Sequence, residues 1–155
     1  MKSEKLYSLF ALLGSVTILF LIYKKMSFIK PIVGIITSPF GKRINPITKL
    51  EQFHSGIDIR AKAGSLIVSP MDGKVSSVYT NSIGGLQMTV KHINGYTTGY
   101  AHLSSTIAKL GQTVKQGEAI ALSGDSGRGT GAHLHFTVRN EQGQLINPSD
   151  SIYKA

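Results

Sequence analysis

The 155-residue chain contains no cysteine, which excludes both a disulfide framework and a cysteine-ligated zinc site. Any metal must therefore be held by histidine and carboxylate. No clustered Lys/Arg run and no recognisable nucleic-acid module accompanies the net charge of +9, so no nucleic acid is expected as a partner. Five Lys and one Glu fall within residues 1–30, leaving 12 basic against 7 acidic residues, +5, for the remainder. That bias fits a basic soluble surface and would also favour an anionic polymer. The body lacks any long segment of helical period, any internal repeat, and any low-complexity stretch beyond one glycine-rich loop.

One apolar run stands out. Between Lys5 and Lys24 lies "LYSLFALLGSVTILFLIY", eighteen residues without a charge. As a helix it would span roughly 27 Å, close to the hydrocarbon thickness of a bilayer. No A-x-A-like cleavage site appears in the following "YKKMSFIK", so the run reads as an uncleaved transmembrane anchor. A core helix apolar all round does not suit so small a domain. Lys2 and Lys5 on one side and Lys24, Lys25 and Lys30 on the other leave the orientation undecided by charge. The expected organisation is a tail at 1–5, an anchor at 6–23, a linker at 24–34, and one compact domain at 35–155.

From Pro31 onward, short β-branched runs are broken by Gly, Pro, Asn and Asp, which predicts a mostly β domain. Strands are expected at 56–60, 66–70, 73–80, 86–92, 95–103, 119–124 and 133–140. Asn94-Gly95 predicts a two-residue type I′ hairpin turn, and "SSTIAKL" (104–110) a single helical or 3₁₀ turn. The loop "SGDSGRGTG" (123–131) lacks the Lys-Ser/Thr ending of a P-loop and leads into a strand, so it reads as a rim loop.

The five histidines are His54, His92, His102, His133 and His135. In a strand over 133–140, His133, His135 and Thr137 share one face while Leu134, Phe136 and Val138 share the other. The apolar set belongs to the core. Both imidazoles are left on the open face, where a metal or ordinary solvation would each account for them. His54 and Asp58 are four apart in "FHSGIDIR" and share a face if that segment is extended, which Gly56, Ile57 and Ile59 favour. A carboxylate between two β-branched residues needs a cation or hydrogen bonds. A metal would serve, and so would Arg60 or Lys62. His102 should point away from Ala101 and Leu103. His92 reads as an edge residue.

Taken together, "SPFGKRINPI", "FHSGIDI", "GKVSSV", "GYTTGYAHL", "VKQGEAIALSGDSGRGTGAHLHF" and "NPSD" resemble the lysostaphin-type, or LytM-domain, zinc metalloendopeptidases that cut peptidoglycan peptides. The resemblance covers nearly all of residues 36–150. Its specific part is the ordered set H-x-x-x-D, A-H-L and H-L-H. It implies that His54, Asp58 and His135 bind Zn2+, that His102 and His133 are catalytic, and that an antiparallel β-sheet core carries the metal in a groove between loops. Residues 35–155 would then be the LytM-type peptidase domain. Such a ligand set leaves a fourth tetrahedral position for water, the arrangement of a catalytic zinc. No Glu adjoins a ligand as in H-E-x-x-H enzymes, so the two spare histidines are the natural acid and base. Thr137 departs from the family, in which many members carry Glu after H-L-H-F.

The resemblance implies hydrolysis of cross-links between peptidoglycan stem peptides, since nothing in "NPITKLEQFH" points to a glycine bridge. A wall-binding regulator that activates other peptidoglycan hydrolases would have lost ligands that are all present here. A facial-triad Fe(II) oxygenase does not call for two further histidines. A purely structural β domain leaves Asp58 and four similarly facing imidazoles unexplained. Because peptidoglycan lies outside the cytoplasm, the domain is expected on the extracytoplasmic side of the membrane with the amino terminus inside. A linker of about ten residues would reach roughly 35 Å. That confines cutting near the membrane, for instance around a machine crossing the envelope.

Overall fold

The computed structural model describes residues 27–152. The tail at 1–5 and the anchor expected at 6–23 lie outside the described residues. Among those described, no helix is long and apolar enough to cross a membrane.

The described residues form twelve strands and one short helix: β1 (Ile36–Ser38), β2 (Gly41–Ile44), β3 (Glu51–His54), β4 (Ile57–Arg60), β5 (Leu66–Val68), β6 (Gly73–Asn81), β7 (Gly85–His92), β8 (Thr97–Thr106), β9 (Thr113–Val114), β10 (Ala119–Ser123), β11 (His133–Arg139), β12 (Leu145–Ile146) and α1 (Pro148–Ile152). Ten strands make one antiparallel sheet along the path β1-β4-β11-β8-β7-β6-β9, with β10 linking β5 to β8 and β12 added to β11. β2 and β3 form a separate hairpin. The mostly β, antiparallel expectation holds. All seven expected strand segments contain a strand, while β1, β2, β3, β9 and β12 are short additions that their composition does not announce.

Period-two alternation builds the core. In β11, Leu134, Phe136 and Val138 are fully buried while His133, His135 and Thr137 are only partly covered. Ile57 and Ile59 of β4 join them beneath the sheet, with Tyr100, Leu103, Met88 and Val90 from the next strands. Burying each such side chain contributes about 1.5–3 kcal/mol, so the core face fixes the register, and with it which residues face outward.

Three local expectations are corrected. The Asn94-Gly95 connection is a three-residue loop: Gly95 N–H donates to the His92 carbonyl, His92 N–H to the Tyr96 carbonyl, and Gly95 has a φ of 84°. Asn94 is not left-handed, so the turn is followed by a glycine bulge instead of being type I′. Ser104–Thr106, expected in a helical turn, continue β8 because Ser105 and Thr106 pair with Leu122 and Ala121 of β10. The linker expected at 24–34 is already packed from Phe28 to Ile32. Phe28 stands edge-on to His92 and Tyr96, Pro31 accepts a hydrogen bond from Val68 N–H, and Ile32 is 4% exposed in the core.

Candidate metal centre

β4 and β11 pair so that Asp58 faces His135 and Arg60 faces His133. On the other edge of β11, Ala101 of β8 faces His135. His54 arrives from elsewhere. It ends β3 in the separate hairpin, so, contrary to expectation, it and Asp58 do not share one continuous extended segment. The chain turns between them at Gly56, where a Cβ would come within 2.2 Å of the Phe136 carbonyl oxygen. Only glycine lets the backbone pass this close to β11.

The three side chains meet nonetheless. His135 Nδ1 is 2.8 Å from Asp58 Oδ1, His54 Nε2 is 3.1 Å from the same oxygen, and the two ring nitrogens are 3.0 Å apart. The group could hold a metal ion, and its chemistry fits one. His54 Nδ1–H donates to the Pro39 carbonyl at 2.7 Å, which turns Nε2 toward the carboxylate and His135. His135 Nε2 lies 3.4 Å from Ser55 Oγ, on the far side of the ring from Nδ1. Three electron-rich atoms thus face one another at close range, an arrangement that a shared cation satisfies. Ligands about 2.0–2.1 Å from a tetrahedral zinc sit roughly 3.3 Å from one another, near the spacing found here. Burial pushes the Asp58 carboxyl up, but its contacts with the His135 and His54 imidazoles outweigh this and hold the group far below the usual carboxylate range.

Asp58 has a further partner that the sequence did not reveal. Neither Arg60 nor Lys62 pairs with it. Arg43 of β2 does, with Nη1 3.1 Å from Oδ2, while also donating to Ser38 Oγ. The two carboxylate oxygens are thereby divided between partners, Oδ1 facing the imidazoles and Oδ2 the guanidinium. Local spacing could not have singled out Arg43, because the contact joins two different sheets.

His102 and His133 flank the triad, their ring centroids 4.5 Å apart, and the His102 centroid is 6.2 Å from that of His135. His133 Nδ1–H donates to the Gly131 carbonyl and His102 Nδ1–H to the Ser126 carbonyl, at 2.7 and 2.8 Å. In both rings Nε2 is left without a hydrogen bond among the described residues, and His133 Nε2 is 3.9 Å from Asp58 Oδ1. The glycine-rich rim loop supplies these two carbonyls. Burial lowers the pKa of His102; the neighbouring His133 and His135 add to the lowering, while the bond to the Ser126 carbonyl and the Asp58 carboxylate oppose it in part.

His102 reaches the centre by breaking the alternation of β8. Thr98 and Tyr100 face the core, so plain alternation would send His102 there too. Instead His102 has a φ of 61°, and the β7 pairing skips from Tyr100 to Leu103. This bulge keeps His102 beside His133 and returns Leu103 to the core. His92, expected at an edge, is buried. It lies against Thr98 Oγ1 at 2.8 Å and the Asp72 carbonyl at 3.3 Å, remote from the ligand cluster in its contacts. Thr137 makes no hydrogen bond to His133 or His135, and it lies over Gly99, where a Cβ would come within 2.5 Å of its Oγ1.

The centre opens on a cleft of about 570 Å³ lined by Asp58 and His133 together with Thr37, Arg43, Arg60 and Thr130.

Comparison with known proteins agrees with this geometry. The sequence pattern described as Peptidase family M23 matches residues 52–148. An uncharacterized metalloprotease of Haemophilus influenzae is 40% identical over 115 residues, 73% of this chain and 24% of that protein. The peptidoglycan DD-endopeptidase ShyB of Vibrio cholerae is 42% identical over 104 residues, 66% of this chain and 24% of that protein. The chain therefore spans about a quarter of the length of these curated relatives. A crystal structure described as a zinc containing peptidase from Vibrio cholerae superposes with a TM-score of 0.73 at 36% identity, covering 79% of this chain and 39% of that one.

Proposed function

Because this chain belongs to peptidase family M23, we propose that it is a zinc metalloendopeptidase that hydrolyses peptide cross-links of bacterial peptidoglycan. The observation that carries the reading is the convergence of His54, Asp58 and His135, with two further histidines whose Nε2 atoms are free. The DD-endopeptidase activity named for the Vibrio relative and the zinc named for the solved structure support the substrate and the metal.

His54 Nε2, Asp58 Oδ1 and His135 Nδ1 are the ligands in this reading. Zinc, when bound, supplies Lewis-acid polarisation of the scissile carbonyl and acidifies water. His102, kept neutral by burial and oriented by the Ser126 carbonyl, accepts the proton of the attacking water at Nε2. His133, beside the Asp58 carboxylate, stabilises the oxyanion and passes a proton to the leaving amine as the C–N bond breaks. Arg43 engages Oδ2, so that Oδ1 is the oxygen Asp58 would offer to the ion.

The same reading puts the domain outside the cytoplasmic membrane, anchored by residues 6–23, with hydrolysis confined near the bilayer around an envelope-crossing machine. The packing of Phe28 to Ile32 draws part of the linker expected at 24–34 into the domain. Digestion of purified sacculi by the zinc-loaded protein, followed by mass analysis, tests the activity. Loss of cross-linked fragments with a gain of monomers is expected. Intact sacculi, or cleavage seen only when another hydrolase is added, would overturn it in favour of a regulator.

A further inference from the structure

The register of β4 against β11 puts Asp58 opposite His135 and Arg60 opposite His133. Residues two apart share a face, so the four side chains form a two-by-two array on the open side of the sheet. Three corners have a place in the proposed chemistry. Arg60 does not. It is exposed, it lines the cleft beside the centre, and its guanidinium makes no hydrogen bond or ion pair among the described residues. The acid that could have neutralised it is committed elsewhere: Oδ1 of Asp58 faces His54 and His135, and Oδ2 is held by Arg43. No other acidic residue lines the cleft among those described.

We propose that Arg60 is a specificity residue that binds a free carboxylate carried by the substrate next to the scissile peptide bond. The proposal rests on the peptidase reading of the centre and names the substrate class within it. Directly opposed strand residues stand about 4.5–5.5 Å apart, and an extended substrate advances roughly 3.5 Å per residue. A guanidinium opposite His133 therefore meets a group on the residue adjoining the reacting bond, not one several residues away. The planar fork of Arg matches a carboxylate through two parallel hydrogen bonds, which a neutral carboxamide cannot reproduce. Cross-link chemistry supplies such a group. When the bridging residue is a diamino diacid, the carbon bearing the scissile nitrogen also bears a free carboxylate, whereas a glycine bridge or an amidated residue offers none.

The experiment uses the full chain loaded with zinc and two synthetic cross-linked peptides that differ only in a carboxylate or a carboxamide beside the scissile bond. Wild-type protein is expected to favour the carboxylate peptide by about tenfold or more in kcat/KM, chiefly through KM, the scale of one charge-assisted hydrogen-bonded contact. Arg60→Gln should bring the ratio to within about twofold, and Arg60→Lys should retain part of the preference, because it keeps the charge and loses the fork. Equal cleavage of both peptides by wild type, or an unchanged ratio in Arg60→Gln, overturns the subsite and leaves the peptidase reading intact. Failure to cut either peptide with zinc bound overturns the peptidase reading, and the subsite with it.

Discussion

Arg43 and Asp58 join the two described sheets at the candidate metal centre, Nη1 to Oδ2 at 3.1 Å. Arg43 should therefore govern how tightly the centre holds its ion without being a ligand. Arg43→Gln is expected to lower zinc affinity about 10- to 100-fold, measured by competition with a chromogenic chelator. Unchanged affinity would mean that Asp58 is positioned by β4 alone.

His102 should separate chemistry from metal binding. His102→Ala is expected to lower cleavage of sacculi by about 10²–10⁴-fold while zinc stays near one ion per chain by elemental analysis. Loss of the ion together with the activity would make His102 a ligand.

The backbone at His102 gives a stability prediction independent of catalysis. In an ordinary strand Gly is less stable than Ala, but at a φ of 61° the preference reverses. His102→Gly should exceed His102→Ala in stability by about 1 kcal/mol in urea unfolding. The usual order, Ala above Gly, would show that the bulge relaxes when the imidazole is removed.

Zinc should stabilise the fold through Asp58. At a free concentration about 100 times Kd, a ligand that binds only the folded state adds about 2.7 kcal/mol. Denaturant unfolding with and without zinc should reveal such a gain in wild type and its loss in Asp58→Ala. An equal gain in both proteins would place the ion elsewhere.

His92 predicts a pH effect. Burial lowers its pKa, and hydrogen bonding to the Asp72 backbone only partly opposes this. Below the ordinary value near 6.5 the unfolded chain binds a proton that the fold resists, so His92 costs stability as pH falls from there toward its depressed folded value. The stability advantage of wild type over His92→Gln should shrink across that window. An advantage that grows toward acid would mean that the folded state gains the proton.

What the sequence disclosed was what alternation and order along the chain can carry. Leu134, Phe136 and Val138 mark the buried side of β11, and they thereby place His133 and His135 on the other. Ile57 and Ile59 do the same for Asp58. The resemblance named His54, Asp58 and His135, three residues that the fold brings together. Hidden were features that depend on two segments meeting or on one backbone angle. Arg43 finds Asp58 across sheets, His54 and Asp58 belong to different strands, and His102 faces the centre only because its left-handed φ interrupts the pattern. His92 reads as an edge residue because its burial comes partly from Phe28, in a stretch that itself reads as linker.

The placement of the centre within the large sheet limits how a peptide can approach. β4 lies between β1 and β11, β11 between β4 and β8, and β8 between β11 and β7. The strands bearing Asp58, His135 and His102 thus have both backbone edges already paired, and none can accept a substrate as an added strand. In the proposed activity a peptide would instead lie across the top of these strands. Its main chain would then meet the rim loops and its side groups the residues that project upward, so that loop and surface substitutions would retune selectivity while the hydrogen-bond ladder beneath stays untouched.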